Sequence, residues 1–208
     1  MMRRMVVVAL ALAIAMVVAA CGESEPEGPP TFASYPEMGI DPKRPYSVIV
    51  TTDVGRMTFI LLPAEAPLAV NSFTFLLNEG FYTGMEFYRV LPGVLAETGD
   101  PTGTGTGGPG YTYELEAPQR PYARGLLAMA PNGADNSNGS RFYILLGDLD
   151  ASDAVSGDHT IFGHLKEDHA PSATTLTKIE NSQVPVAIRE VKAIEGCLPN
   201  VSMWTQGC

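Results

Sequence analysis

Tyr46-Ser-Val-Ile-Val-Thr-Thr52 and Arg56-Met-Thr-Phe-Ile-Leu-Leu62 are two extended, β-branched runs separated by Asp53-Val-Gly55. Alternating runs on either side of an Asp/Gly turn predict a hairpin that opens a β domain. Downstream, Val70, Phe73, Leu76 and Leu77 share one face of a helix predicted over 69–79, with Gly80 as its stop. Short extended runs follow at 86–91, 94–97, 126–130, 142–146 and 160–165, parted by glycine-rich turns. A second short helix is expected over 173–179 and a last strand over 186–193. Short strands at this spacing indicate a closed or sandwiched antiparallel fold.

Composition agrees. With 45% hydrophobic and 17% charged residues in 208, disorder and coiled-coil architecture are excluded. The 21 Gly and 17 Pro supply the turns that many short strands need. A net charge of −10, with no Lys/Arg cluster after the N-terminus, argues against nucleic acid as a partner, because phosphate binding needs a basic face.

The N-terminus reads as an address. Arg3 and Arg4 precede an unbroken apolar run over 5–20, the order of an export signal, and 16 residues fall short of a membrane span. Val18-Ala-Ala-Cys21 resembles a bacterial lipobox, which implies cleavage after residue 20 and lipidation of the Cys21 thiol. The expected organisation is a signal over 1–20, a Pro/Glu-rich flexible linker over 21–45, a folded domain over 46–194 and a tail over 195–208. The only membrane contact expected is the lipid anchor, two acyl chains holding a tethered monomer outside the cytoplasm. An oxidising compartment favours a disulfide between Cys197 and Cys208, which lack the neighbours of a zinc site.

Several chemistries are weighed and set aside. The segment 99–110, GDPTGTGTGGPG, has the glycine density of a phosphate cradle but lacks the following Lys, Ser/Thr and helix. His159, His164 and His169 recur at intervals of five, which places successive members on opposite faces of a strand, so no metal site is expected. The acidic stretch around Asp148, Asp150, Asp153 and Asp158 lacks the glycine and glutamate of a calcium loop. No nucleophile elbow surrounds any serine. What remains is Arg89 among apolar and aromatic residues, Phe87-Tyr-Arg-Val-Leu-Pro-Gly93.

That segment, with 71–84 NSFTFLLNEGFYTG, 99–108 GDPTGTGTGG, 124–130 RGLLAMA, 138–144 NGSRFYI and 159–163 HTIFG, resembles the cyclophilins, the peptidyl-prolyl cis-trans isomerases, in family order. The resemblance implies a closed eight-stranded antiparallel barrel capped by two helices, a groove on its outer face, Pro-containing polypeptides as partners and no cofactor. Arg89 matches the family's catalytic arginine. Val94 and Leu95 stand where a Phe and a Met usually form the proline pocket, and Gly105, Ala130 and His159 are groove residues by the same match. Asn132 is the candidate substrate anchor, in a loop slightly longer than a common family form.

Other positions depart from the family pattern. Tyr88 replaces a His, Glu97 and Arg141 replace two glutamines, Tyr143 replaces a Phe, and Ala154-Val155 replaces Trp-Leu. An acid and a base in place of two glutamines suggest a coupled swap, Glu97 facing Arg141. The function expected is isomerisation of X-Pro bonds in exported proteins at the cell envelope; the alternative is a module that binds Pro-containing segments with little catalysis.

Overall fold

The computed structural model describes residues 29–131, 137–148, 159–166 and 168–195. The leader over 1–20, Cys21, Asn132, Val155, and the tail with Cys197 and Cys208 lie outside the described residues.

The predicted hairpin forms as β1 (Tyr46–Thr52) and β2 (Gly55–Leu61), paired antiparallel with Val48 opposite Phe59 and Val50 opposite Met57. α1 (Pro67–Asn78) follows, then β3 (Arg89–Leu91), β4 (Leu95–Thr98), β5 (Tyr113–Glu114), β6 (Leu126–Met129), β7 (Ser137–Asn138), β8 (Phe142–Leu145), β9 (Ile161–Leu165), α2 (Ala170–Glu180) and β10 (Ile188–Glu195). Eight strands make one antiparallel sheet in the order β10-β1-β2-β9-β6-β8-β4-β3, while β5 and β7 pair separately. These last two strands hold two residues each, too few to leave an alternation in the sequence.

The sheet curls but does not close, which corrects the expectation of a closed barrel. β10 and β3 are its two edges, and among the described residues no ladder joins them. The predicted strand over 86–91 is shorter because residues 84–87 leave it for the start of β10: Gly84 N donates to Ile188 O at 2.8 Å, Phe87 N to Val186 O at 3.0 Å and Ile188 N to Met85 O at 2.8 Å. A bridge between Glu86 and Ala187 spans the gap instead.

Strand alternation divides the residues between two apolar clusters. Met57, Phe59, Leu127, Met129, Phe142, Ile144 and Phe162 face the concave interior, where α1 delivers Phe73 against Phe142 and Phe162 at ring distances of 5.3 and 5.1 Å. Their neighbours Leu95, Leu126, Ala128, Tyr143, Leu145 and Ile161 point the other way and build a second cluster on the opposite face. Gly99 ends β4 where φ is +86°, and a side chain there collides with the Ser140 carbonyl. Only glycine lets β4 and β8 approach this closely.

Two long-range contacts replace what local sequence lacks. α1 has no side-chain cap of its own, and Glu116 supplies one from afar, its carboxylate accepting from Leu68 N and Ala69 N, each at 2.9 Å. The second concerns the linker. Part of the segment 21–45 packs on the domain: Phe32 N donates to Pro109 O at 2.8 Å and its ring lies 4.9 Å from Phe75. Asn71, buried on α1, anchors the same segment: its Nδ2 donates to the Tyr35 hydroxyl at 3.1 Å and Glu37 O at 3.1 Å, and its Oδ1 accepts from Gly39 N at 2.8 Å. Residues 32–41 therefore form a strap over α1. Among the described residues, no helix is long and apolar enough to cross a membrane.

Candidate functional site

Register places one row of side chains across the outer face: Arg89 of β3 opposite Glu97 of β4, Glu97 opposite Tyr143 of β8, and Tyr143 opposite Ala128 of β6. The row below it is Leu91, Leu95 and Leu145. The order is cationic, anionic, aromatic, apolar.

Glu97 is the centre of the polar end. Its Oε2 accepts from Arg89 Nη1 at 3.0 Å, and its Oε1 accepts from the Tyr88 hydroxyl at 2.5 Å and Arg141 Nη1 at 3.2 Å. The side chain of Glu97 is 6% exposed and that of Arg89 is 47% exposed. The carboxylate thus fixes one edge of the guanidinium and leaves the rest open. Burial, reinforced by the bond to Glu97, raises the Tyr88 pKa, so the hydroxyl stays a donor. The swap read from the sequence is a real contact, and Tyr88 is a third member that the sequence reading missed.

Arg141 is otherwise engaged. Its Nη2 donates to the Pro131 carbonyl, and Gly105, at φ +85°, brings the glycine-rich loop so close that a Cβ there stands 3.6 Å from Arg141 Nη1. Backbone bonding seats Ala130 beside it, Ala130 N donating to Arg141 O at 2.9 Å.

The apolar end is formed by Leu95 and Tyr143, both buried, with Val94 packed half-buried on the same cluster. His159 stands edge-on to Tyr143 at 5.5 Å and to Tyr122 at 6.5 Å. Its Nδ1 lies 3.1 Å from the Met129 carbonyl, which only accepts, so Nδ1 carries the proton. Tyr122 holds the His159 backbone by accepting from its N–H at 2.9 Å. Nothing in the sequence marked Tyr122, which sits in a loop. Of the ten groove positions expected beside Arg89, the structure gathers Val94, Leu95, Glu97, Gly105, Ala130, Arg141, Tyr143 and His159 on this face; Asn132 and Val155 are outside the described residues.

The three histidines have separate surroundings, His164 Nδ1 meeting Leu165 O at 3.1 Å and His169 Nδ1 meeting Ser172 Oγ at 2.6 Å. The glycine-rich loop turns its amides inward on its own Asp100. Thr102 N donates to Asp100 Oδ1 at 2.7 Å and Thr106 N to Oδ2 at 3.0 Å, with Gly105 N on the same oxygen. The cradle is filled by a carboxylate of the chain itself, so the segment shapes the groove wall.

Burial by itself raises the Asp100 pKa, but the bonds from Thr102, Gly107 and Gly105 outweigh it and hold the value below the ordinary carboxylate one. The folded chain then binds fewer protons at this site than the unfolded chain. The stability it contributes is complete above the unfolded pKa near 3.9 and is lost as pH falls through the folded value. Thermal midpoints followed from pH 7 to pH 2 are therefore expected to fall less steeply below about pH 4 in Asp100→Asn than in the parent chain.

Similarity to known proteins matches this geometry. The family described as Cyclophilin type peptidyl-prolyl cis-trans isomerase/CLD matches residues 47–196. Peptidyl-prolyl isomerase CWC27 of Cryptococcus neoformans is 35% identical over 158 residues, 71% of this chain and 32% of that protein. The chain thus spans about a third of that fungal relative. A peptidyl-prolyl cis-trans isomerase of Helicobacter pylori is 39% identical over 137 residues, 65% of this chain and 81% of that one. The crystal structure of a Cryptosporidium parvum cyclophilin type isomerase in the presence of the dipeptide Ala-Pro superposes with a TM-score of 0.61 at 30% identity, covering 70% of this chain and 96% of that one. The motifs in order, the curled eight-stranded sheet with two helices, and these matches agree: the chain belongs to the family of cyclophilin-type peptidyl-prolyl cis-trans isomerases.

Proposed function

We propose that the chain catalyses cis-trans exchange of X-Pro bonds in exported polypeptides while tethered through Cys21 at the cell envelope, with Arg89 as the catalytic residue. The observation that carries the chemistry is Arg89 itself, gripped on one side by Glu97 and open on the other, beside half-buried Val94 with Leu95 and Tyr143 packed beneath it.

Rotation about an X-Pro bond faces a barrier near 20 kcal/mol because the nitrogen lone pair is delocalised into the carbonyl. In the twisted state that lone pair returns to a pyramidal nitrogen. A guanidinium N–H aimed at it stabilises the twisted state more than either planar one, and an apolar wall lowers the local dielectric and strengthens the contact. Val94, Leu95, Tyr143 and His159 form the wall for the prolyl ring. Ala130 and Gly105 flank it on the side of the substrate backbone. The mechanism calls for no covalent step and no cofactor.

The envelope assignment rests on Arg3, Arg4, the apolar run over 5–20 and the lipobox ending at Cys21. The expected outcome in a bacterial host is incorporation of a labelled fatty acid into the full-length chain and none into Cys21→Ser. Equal labelling of the two, or none in either, sinks the anchor. A second reading, binding without catalysis, is favoured by one feature: Glu97 already occupies an edge of Arg89. It predicts peptide binding that survives Arg89→Ala in a chain that never accelerated exchange.

A further inference from the structure

Glu97 receives three donors on two oxygens, and two of them are guanidinium groups. A buried carboxylate facing Arg89 alone forms a neutral pair, in which the anion cancels much of the field the guanidinium projects toward a substrate nitrogen. Arg141 changes that balance. With side chains 12% and 6% exposed, Arg141 and Glu97 sit deeper than Arg89, so the inner pair neutralises itself and the surplus positive charge lies on the open guanidinium. Tyr88 takes a further lone pair on Oε1, which restrains rotation of the carboxylate.

Arg141 has little left to offer a ligand. One terminal nitrogen is on Glu97, the other on the Pro131 carbonyl, and both bonds lead back into the protein. The cross-strand register sets the distance, since β4 and β8 pair Glu97 with Tyr143 and Thr98 with Phe142, leaving Arg141 just beyond the ladder and able to reach back to Glu97.

We infer that Arg141 and Tyr88 are positioning residues that fix and charge-compensate Glu97, so that Arg89 is oriented by a carboxylate without losing its positive field. This moves Arg141 out of the substrate-binding set expected from the sequence. It rests on the reading of Arg89 as the catalytic residue.

The test uses the full-length chain in detergent, an Ala-Pro peptide followed by NMR exchange spectroscopy, and the 15N–H resonance of Arg89 Nε. Arg141→Gln is expected to lose about 10-fold or more in kcat with KM within about two-fold, since a group that does not touch substrate acts through the transition state alone. Glu97→Gln, which leaves two cations facing each other, is expected to lose a similar factor. The double variant Glu97→Gln/Arg141→Gln returns to within about three-fold of the parent, far from the product of the single losses. Tyr88→Phe loses about three-fold in kcat and shifts the Arg89 signal.

Single losses that multiply in the double variant overturn the inference. So does an Arg141→Gln effect confined to KM, which marks direct substrate contact. If Arg141→Gln does not fold, the double variant and Tyr88→Phe decide, and an Arg89 resonance unmoved in both overturns it. A parent chain without exchange activity overturns the catalytic reading instead; an Arg89 resonance that still responds to Tyr88→Phe and Arg141→Gln then supports the network independently.

Discussion

Replacing Arg89 with alanine is expected to lower the catalysed exchange of an Ala-Pro peptide by about 10²–10³-fold, the loss seen when one preorganised donor to a developing transition-state charge is removed. The fold has little reason to suffer, because the Arg89 side chain is nearly half exposed and, among the described residues, its side-chain bond runs to Glu97. Thermal midpoints of the parent and the variant are expected to lie within a few degrees, which separates lost chemistry from lost structure. Peptide affinity is expected to change much less than kcat, since Val94, Leu95, Tyr143 and His159 still hold the prolyl ring. An unchanged rate in Arg89→Ala, with the parent active, removes this residue from the mechanism.

Beginning the chain at Tyr46 rather than Pro29 is expected to cost roughly 2–3 kcal/mol, or about 5–10 °C in the melting midpoint of a domain this size. The loss has named parts. Asn71 is 2% exposed and loses its bonds to Tyr35, Glu37 and Gly39. Phe75 loses the edge-on ring of Phe32, and Tyr111 and Tyr113 lose Tyr35, which stands 5.8 and 5.3 Å from them. Removing the strap uncovers Asn71 to water, so the lost apolar packing of Phe32 and Tyr35 is the costly part, and Phe32→Ala/Tyr35→Ala in the chain that begins at Pro29 is expected to reproduce most of the loss. Differential scanning calorimetry of the three chains checks both statements; equal midpoints for the two starts mean that the strap stabilises nothing.

How much of this was legible beforehand follows from the range of each interaction. The hairpin over 46–62, the helix over 69–79 and the short runs that became β4, β6, β8 and β9 are written in side-chain periodicity, and periodicity is local. Arg89, Glu97, Arg141 and Tyr143 were named through the family resemblance; alternation relates residues within one strand, and it is the β3–β4 and β4–β8 register that sets them side by side. Motif order over 71–163 carried the family, since glycine, arginine and aromatic positions at those spacings are features of the string itself.

By itself, then, the sequence determined the β class, the helices, the family and the arginine on which the chemistry is proposed to turn. Only the tertiary structure decided whether the sheet closes, because closure depends on whether β3 and β10 meet edge to edge, and neither strand's pattern encodes its partner. Only folding revealed that Glu116 caps α1 from 47 residues away, that the Pro-rich segment is a strap, and that the glycine-rich loop closes on its own Asp100. The tie between Glu97 and Arg141, 44 positions apart, was a conjecture until the β4–β8 register set its length, and Tyr88 was invisible as its third member. Polar groups of this kind find partners wherever burial leaves a donor or acceptor unsatisfied, and that demand arises only once the chain has packed.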